Sequence, residues 1–313
     1  MKLTITRSLA VALVLSVVLM LSVSFYWPIQ EAYHPLNEYW NGCSKVASMS
    51  NNTTLVTSYD RAFPNKLFLL AVIGPSIEFS QAESKGIRSF VEAGGALLLA
   101  DDFGTGNSLL RELNVSARFS GHPIADLYYY GKDHTFPLVS DFATNPLTAN
   151  LTTVILNRPS YIEIRNSTEV IRLASSSPFS FVDLTAEHFP LENETIDSYP
   201  VIASVNIGNG TLVLVSDPSM FINDMVGLYD NMPFFQNLLK MGNGSLAFDV
   251  AHLARASLTD WRTFLRYEIQ SLRDLILSSP QSIYIQSFLV ALVLALTFSF
   301  ELFRLMKRRR RSK

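Results

Sequence analysis

Two uncharged apolar segments at the ends of the chain constrain this sequence more than any other feature. Residues 9–27 and 283–300 contain no charged side chain. A helix needs about 20 mainly apolar residues to cross the hydrocarbon core of a bilayer, and both segments approach that length. The pattern predicts two transmembrane helices, over residues 9–27 and 282–303, with the rest of the chain between them.

The charges beside these segments predict their orientation. Lys2 and Arg7 precede the first segment, and seven Lys and Arg residues follow the second within residues 304–313. Positive flanks stay in the cytoplasm, so the tips, residues 1–8 and 304–313, are expected inside the cell and the intervening domain outside the cell membrane. A cleaved signal peptide is an alternative for the first segment, because residues 22–24 are small.

The region between the segments is acidic. Residues 28–282 carry 16 Lys and Arg against 26 Asp and Glu, a balance of −10, although the whole chain has a net charge of only −2. Nucleic-acid binding requires cations against phosphate, so this class of partner is excluded. The single cysteine, Cys43, excludes an intrachain disulfide.

Candidate N-glycosylation sites support the same topology. The triplet Asn-x-Ser/Thr occurs eight times, always between the apolar segments. One triplet is weak support because chance produces it often, but the eight together favour an external domain. The candidate asparagines are Asn51, Asn52, Asn114, Asn150, Asn166, Asn193, Asn209 and Asn243.

Strand and helix patterns alternate in the first half of the domain. Residues 66–74 and 96–102 are apolar runs typical of buried strands. Residues 80–95 have amphipathic helical spacing, and residues 104–114 predict a second helix that begins in a glycine-rich turn. Strands alternating with helices at this spacing predict a mainly parallel sheet.

The remaining segments complete an α/β domain over residues 28–250. Residues 28–57 are expected to form a lead-in loop, and residues 115–200 contain short strand patterns. The turn at Gly208–Gly210 predicts a hairpin, and helices should follow it. Residues 251–281 predict an amphipathic stalk helix before the second membrane span.

Three stretches of sequence resemble a known family. They are HPLNEYWNG (34–42), FVEAGGALLLADDFGTGNSLL (90–110) and GNGTLVLVSDPSMFIND (208–224), followed by Asp230 and Asn231. In this order they resemble the membrane-anchored domain of unknown function 4350 family over residues 34–242. The resemblance implies a flavodoxin-like sheet, similar to class I glutamine amidotransferases, between membrane spans. It implies fold and topology rather than chemistry.

No familiar catalytic motif is present. An amidotransferase needs a cysteine nucleophile at the turn after a strand, whereas Cys43 precedes the first predicted strand. The sequence also lacks Gly-x-Ser-x-Gly, and residues 104–106 (GTG) lack the further glycine of a dinucleotide fingerprint. The histidines show no metal-ligand spacing and are interpreted as surface or satisfied core residues: His34, His122, His134, His188 and His252.

Acidic residues at predicted strand ends are the remaining candidate site. Asp101 and Asp102 end one strand and Asp217 ends another. Ligands of open α/β sheets bind beyond the carboxyl ends of strands, so we expect these acids to be neighbours in one crevice. Further candidates in nearby loops are Asn107, Asn223, Asp224, Asp230 and Asn231. The alternative interpretation is that Asp102 and Asp217 cap the helices that follow them.

The sequence therefore favours a binding protein over an enzyme. We expect a membrane-anchored external domain that binds a ligand or partner without a cofactor, as a possible accessory part of a membrane complex. A metal-assisted hydrolase that acts on an external glycan or peptide through the strand-end acids is the alternative. A purely structural part whose spans contact partner helices is the third.

Overall fold

The computed structural model describes residues 15–16, 29–59, 68–185, 189–191 and 194–253. Residues 28–255 form one compact unit, and residues 1–27 with 256–313 form another. Both predicted membrane spans and the predicted stalk lie outside the described residues, apart from residues 15–16 and 251–253. Within the described part, no helix is long and apolar enough to cross a membrane.

The elements of the described domain are short. Its helices are α1 (Ser44–Ala47), α2 (Gln81–Glu92), α3 (Asn107–Glu112) and α4 (Asn231–Met241), with 3₁₀ helices at Pro146–Thr148 and Pro218–Phe221. Its strands are β1 (Asn52–Val56), β2 (Leu69–Ile73), β3 (Ala96–Ala100), β4 (Ala117–Phe119), β5 (Ile124–Asp126), β6 (Leu138–Val139), β7 (Asp141–Phe142), β8 (Val154–Ile155), β9 (Ile162–Ile164), β10 (Val170–Ser175), β11 (Ser180–Val182), β12 (Ile196–Asp197), β13 (Pro200–Ile207), β14 (Gly210–Val215) and β15 (Ser245–Asp249).

An eight-stranded mixed sheet organises the domain. Its strand order is β1-β15-β2-β3-β14-β13-β10-β7. The five strands from β1 to β14 in this order are parallel, and β13, β10 and β7 join by antiparallel pairing. The α/β prediction is confirmed, and the sheet is more mixed than a mainly parallel one because the hairpin at Gly208–Gly210 reverses the chain.

The predicted βαβ unit is present as β2, α2 and β3. Every residue of β2 and β3 is buried, as continuous apolar runs require in a sheet covered on both faces. Helix α2 begins with a capping box between Ser80 and Glu83 and buries Ile87, Phe90 and Val91. The strands pair in parallel from Leu69 opposite Ala96.

Two apolar cores cover the two faces of the sheet. Alternate strand residues point to opposite faces, so Leu70 packs in one core and Leu69 in the other. Helices α2 and α3 contribute to the core of Leu70, and α4 contributes to the core of Leu69. The domain is therefore a three-layer arrangement of helix, sheet and helix.

The lead-in segment belongs to the fold, which corrects the loop predicted for residues 28–57. Strand β1 pairs in parallel with β15 at the edge of the main sheet. Cys43 and Val46 are fully buried in the core beneath α4. The loop prediction was wrong because polar residues dominate the sequence of an exposed edge strand and hide its pairing.

The middle segment forms three small antiparallel sheets, β12-β11-β5, β4-β9 and β6-β8. Among the short strand patterns predicted over residues 115–200 is the aromatic run at residues 126–131, but β5 ends at Asp126. The Asp126 carboxylate accepts hydrogen bonds from the N–H groups of Tyr128 and Tyr129, at 2.9 and 2.7 Å. This aspartate therefore turns the chain where its aromatic neighbours suggested a strand.

Candidate functional site

The strand-end acids lie together, as predicted, at the carboxyl edge of the main sheet. Strands β3 and β14 are parallel neighbours with Ala100 opposite Val215. The Asp101 N–H continues the pairing by donating to the Val215 carbonyl at 3.0 Å. Asp102 and Asp217 each lie two residues beyond this last pair, and the charge of Asp102 acts on Asp217, so the two acids are neighbours just outside the sheet.

Asp101 holds the turn that leads into α3. Its side chain is buried and accepts hydrogen bonds from the N–H groups of Gly106, at 2.6 Å, and Phe103, at 3.1 Å. Burial raises the pKa of Asp101, and these backbone donors oppose that shift. The capping role predicted for Asp102 is not found, because α3 begins after Gly106 without a side-chain cap. Asp101 instead accepts hydrogen bonds within the turn that precedes the helix.

Asp217 has the capping role that the sequence predicted. Its side chain is fully buried and accepts from the Ser219 N–H at 2.7 Å, at the start of the 3₁₀ helix. It also accepts from the Asn157 N–H at 2.6 Å, so it ties a loop of the middle segment to the sheet. Burial is the largest cause that raises its pKa, to about 8, and the charge of Asp102 raises it further.

Asp102 is the accessible member of this group. Its residue is half-buried, whereas Asp101 and Asp217 are buried. Burial, followed by the charge of Asp101, raises the pKa of Asp102 to about 7, and only backbone N–H groups oppose the shift. Two interacting acids with such pKa values retain at least part of a proton near neutral pH.

Tyr33 lies beside these acids, and sequence reasoning missed it. Its hydroxyl lies 3.2 Å from the Ser219 hydroxyl. Burial raises its pKa strongly, and Asp102 and Asp217 are close enough to add to that rise. No motif marks this tyrosine, because it reaches the strand ends from the lead-in segment, far away in sequence.

Gly74 makes room for the Tyr33 ring. Gly74 follows β2 at a φ of +63°, and a Cβ atom there would lie 2.3 Å from the ring of Tyr33. The absence of a side chain thus lets the ring lie against the end of the strand. Asp102, which follows β3, Asp217, which follows β14, and Tyr33 of the lead-in segment are therefore neighbours, and we call this group the crevice.

Two of the other predicted ligands connect loops instead. Asn107 exchanges two hydrogen bonds of 2.9 Å with the backbone of Phe119. Asn223 donates to the carbonyl oxygens of Asn37, at 2.9 Å, and Tyr39, at 2.7 Å. The side-chain amides of both residues are therefore hydrogen-bonded to backbone groups, and each connects two loops of the domain.

The last three predicted ligands lie around the start of α4. Asn231 is buried and exchanges hydrogen bonds with the backbone of Ile155, at 3.1 and 2.9 Å. Asp230 accepts from the N–H groups of Thr152, at 2.6 Å, and Thr153, at 2.9 Å, and these bonds lower its pKa. Asp224 donates its own N–H to the Trp40 carbonyl at 3.2 Å. The crevice group is thus Asp102, Asp217 and Tyr33.

The crevice acids have no cationic partner within the described residues. The ion pairs found in that part of the chain involve Arg88 and His252, and none of them includes Asp102 or Asp217. Nor do the described residues contain a group of three His, Cys, Asp or Glu side chains arranged to hold a metal ion.

A second polar cluster surrounds His252, just after β15. Its Nδ1 lies 3.0 Å from the Asp249 carboxylate, and its Nε2 lies 3.7 Å from Glu83. The ring stacks on Phe79 with a centroid distance of 3.7 Å. The interpretation of His252 as a satisfied core histidine is confirmed, and it connects the end of β15 to the start of α2.

Cys43 is unsuited to nucleophilic chemistry. Its thiol is fully buried, and burial raises its pKa strongly. A nucleophilic cysteine needs a lowered pKa and access to substrate, so its burial argues against an amidotransferase role for Cys43.

Comparison with known proteins assigns the family. The family described as domain of unknown function (DUF4350) matches residues 35–239, about two thirds of the chain. The chain therefore belongs to the DUF4350 family. No curated protein matches it.

Several solved structures match part of this chain at low identity. The mmIFT52 N-terminal domain is 17% identical over 56% of this chain and 76% of that one, with a TM-score of 0.44. A thua-like protein from Bacteroides uniformis is 14% identical over 55% and 67%, with a TM-score of 0.34. A beta-galactosidase from Rahnella sp. R3 is 14% identical over 50% and 20%, with a TM-score of 0.31. All three scores are below 0.5, so the family assignment stands on the sequence match.

Proposed function

We propose that this protein is a membrane-anchored binding protein whose α/β domain takes up a small cationic ligand in the crevice of Asp102, Asp217 and Tyr33. The observation that carries the proposal is the meeting of two carboxyl groups at adjacent strand ends without a described cationic partner. Such a pair selects for positive charge.

The ligand class follows from the electrostatics of the crevice. With nothing bound, burial favours the protonated acids, as the raised pKa values of Asp102 and Asp217 indicate. A cationic group beside them stabilises both ionised forms, so its binding releases protons. An organic ammonium group with hydroxyl donors fits this crevice, because carboxylate oxygens accept hydrogen bonds from both.

The membrane-anchored arrangement is part of the same proposal. It is supported by the apolar segments at residues 9–27 and 283–300 and by the basic tail after the second segment. Candidate glycosylation asparagines are exposed throughout the described domain, which an external location requires. We also propose that the finer fold is the amidotransferase-like, flavodoxin-like type that the resemblance implies, in a chain that serves a membrane complex.

Native mass spectrometry of the full chain in detergent tests the binding site. The probes are ethanolamine, glucosamine and spermidine at pH 7, with calcium and magnesium included for the metal-dependent alternative. We expect an amine adduct that Asp102→Asn weakens at least tenfold. The matched control is Asp141→Asn, since Asp141 is an exposed aspartate on β7. Equal amounts of amine adduct in the parent, Asp102→Asn and Asp141→Asn proteins would show that the ligand does not bind at Asp102.

A further inference from the structure

Candidate glycosylation asparagines concentrate at the amino edge of the main sheet, opposite the acid crevice. Asn52 is the first residue of β1, Asn209 directly precedes β14, and Asn243 lies two residues before β15. These strands run in the same direction. Parallel strands begin at one edge of a sheet, so these three triplets, with Asn51, lie at that edge.

Two further triplets reach the same edge by other routes. Asn166 precedes β10, which is antiparallel to β13 and therefore runs in the direction of β14. Asn114 follows α3, and the Arg165 N–H donates to the Ser116 carbonyl at 2.8 Å, so the triplet that begins at Asn114 lies beside the one that begins at Asn166.

These asparagines are available for modification. All six are exposed, and Asn114 and Asn243 adopt positive φ angles of 57° and 51° in tight turns. Asn150 does not belong to the amino-edge group. It lies beside α4, because the Asn237 side chain of that helix donates to the Ala149 carbonyl at 3.1 Å. Asn193 lies outside the described residues.

The carboxyl edge provides the contrast. Asparagines are common there too, yet none of Asn107, Asn157, Asn223 and Asn231 is followed by Ser or Thr at the second position. A general preference for asparagine in turns would place triplets at both edges. The described domain instead separates an edge with potential glycans from an edge with carboxylates.

We propose that the amino edge is an N-glycosylated face and that the carboxyl edge is left bare for ligand access. The modified residues are Asn114, Asn166, Asn209, Asn243 and one of the adjacent pair Asn51 and Asn52. From β1 to β10 there are six strand intervals, so the row is about 29 Å long at ~4.8 Å per interval. The inference rests on the external location in the proposed function.

The modification is a group transfer from a lipid-linked oligosaccharide diphosphate. The bond between sugar C1 and the diphosphate oxygen breaks, and a bond between C1 and the asparagine Nδ2 forms. The asparagine amide loses one proton, and the lipid diphosphate is the leaving group. The Ser or Thr at the second position after each asparagine completes the acceptor triplet.

Glycopeptide mass spectrometry of the full chain, produced in a host with N-glycosylation, tests this face. Ser116→Ala and Ser245→Ala remove a triplet and keep the asparagine in its turn. Ser116→Thr and Ser245→Thr are the matched controls, since they keep the triplet. We expect each alanine variant to lose one glycan, from Asn114 or Asn243, and each threonine variant to retain it. Intact-cell labelling with a membrane-impermeant amine reagent reports location independently.

The outcomes separate the two proposals. Glycans at the amino-edge asparagines support the inference. A domain that is labelled from outside but carries no glycan there, or carries one only at Asn150, overturns the glycosylated face and leaves the external location standing. A domain that is neither labelled nor glycosylated overturns both.

Discussion

Asp102 and Asp217 show how neighbouring acids divide structural and binding roles. The Asp217 carboxylate accepts hydrogen bonds from the backbone N–H groups of Ser219 and Asn157, whereas Asp102 is half-exposed. The sequence predicted that the strand ends would meet, because the β2–α2–β3 pattern is strong. It did not predict that Asp101, rather than Asp102, accepts the hydrogen bonds of the turn before α3, or that α3 begins after Gly106 without a side-chain cap.

The first prediction concerns pH. The folded state raises the pKa of Asp102 from 3.8 to about 7, so between these values the folded protein binds more protons than the unfolded chain. Stability should therefore fall as pH rises through that window. Asp102→Asn should flatten this fall and raise the free energy of unfolding at pH 8 by on the order of 1 kcal/mol.

Urea unfolding at pH 5 and pH 8 measures this effect. Asp141→Asn, an exposed control, should leave the difference between the two pH values unchanged. A variant at Asp102 that keeps the full pH dependence would show that its carboxyl group is already ionised in the folded protein at neutral pH.

The second prediction concerns the glycine beneath Tyr33. Gly74→Ala places a Cβ atom 2.3 Å from the ring at a positive φ, so either the ring moves or the strand end does. We expect a loss of stability of about 1–3 kcal/mol and weaker amine binding. Gly86→Ala is the control, because a Cβ there meets nothing within 4 Å. Thermal unfolding of both variants measures the change in stability. An unchanged stability of Gly74→Ala would contradict the close packing of the Tyr33 ring on Gly74.

At the level of elements, strong local patterns were predictable and weak ones were not. Helix α2 and strands β2 and β3 combine burial, period and a capping box, so their sequences identify them. Strand β1 was missed because it depends on pairing with the distant β15. Short strands were predicted in the middle segment, and β8, β9 and β10 lie there, but the local pattern did not reveal their pairing partners. Tyr33 was missed for the same reason.

The third prediction tests the start of α2. Ser80→Ala removes the side-chain acceptor for the Glu83 N–H, and Glu83 also faces His252. Loss of the cap should cost about 1 kcal/mol, seen as a lower midpoint in chemical unfolding. Ser80→Asp keeps an acceptor and should restore most of the midpoint. Equal midpoints for Ser80→Ala and the parent would show that the cap contributes nothing.

On the scale of the whole molecule, the lead-in segment and the last strand of the described domain pair with each other at one edge of the main sheet. Strand β1 pairs with β15, and the Tyr33 ring lies at the end of β2. Both ends of the described domain therefore lie at the carboxyl edge of the sheet, with Tyr33 at the end of β2 and His252 just after β15. The sequence predicted one external domain over residues 28–250 that included the lead-in segment, but it predicted a loop where β1 pairs with β15.

The fourth prediction follows from this closure. A domain that begins at residue 58 lacks β1 and the buried residues Cys43 and Val46, whereas one that begins at residue 29 retains them. Both end at residue 255. The longer form should unfold cooperatively and the shorter form should lose its unfolding transition, as circular dichroism during heating would show. A cooperative transition in the shorter form would contradict the packing of the lead-in.

Titration calorimetry of the full chain at pH 7 tests the central claim most directly. The best-binding amine is titrated in two buffers with different ionisation enthalpies, and the difference in heat gives the number of protons released. The account predicts release of a measurable fraction of a proton per amine bound, and loss of that release in Asp102→Asn. Binding without buffer dependence, or release unchanged in the variant, would contradict a ligand site at the paired acids.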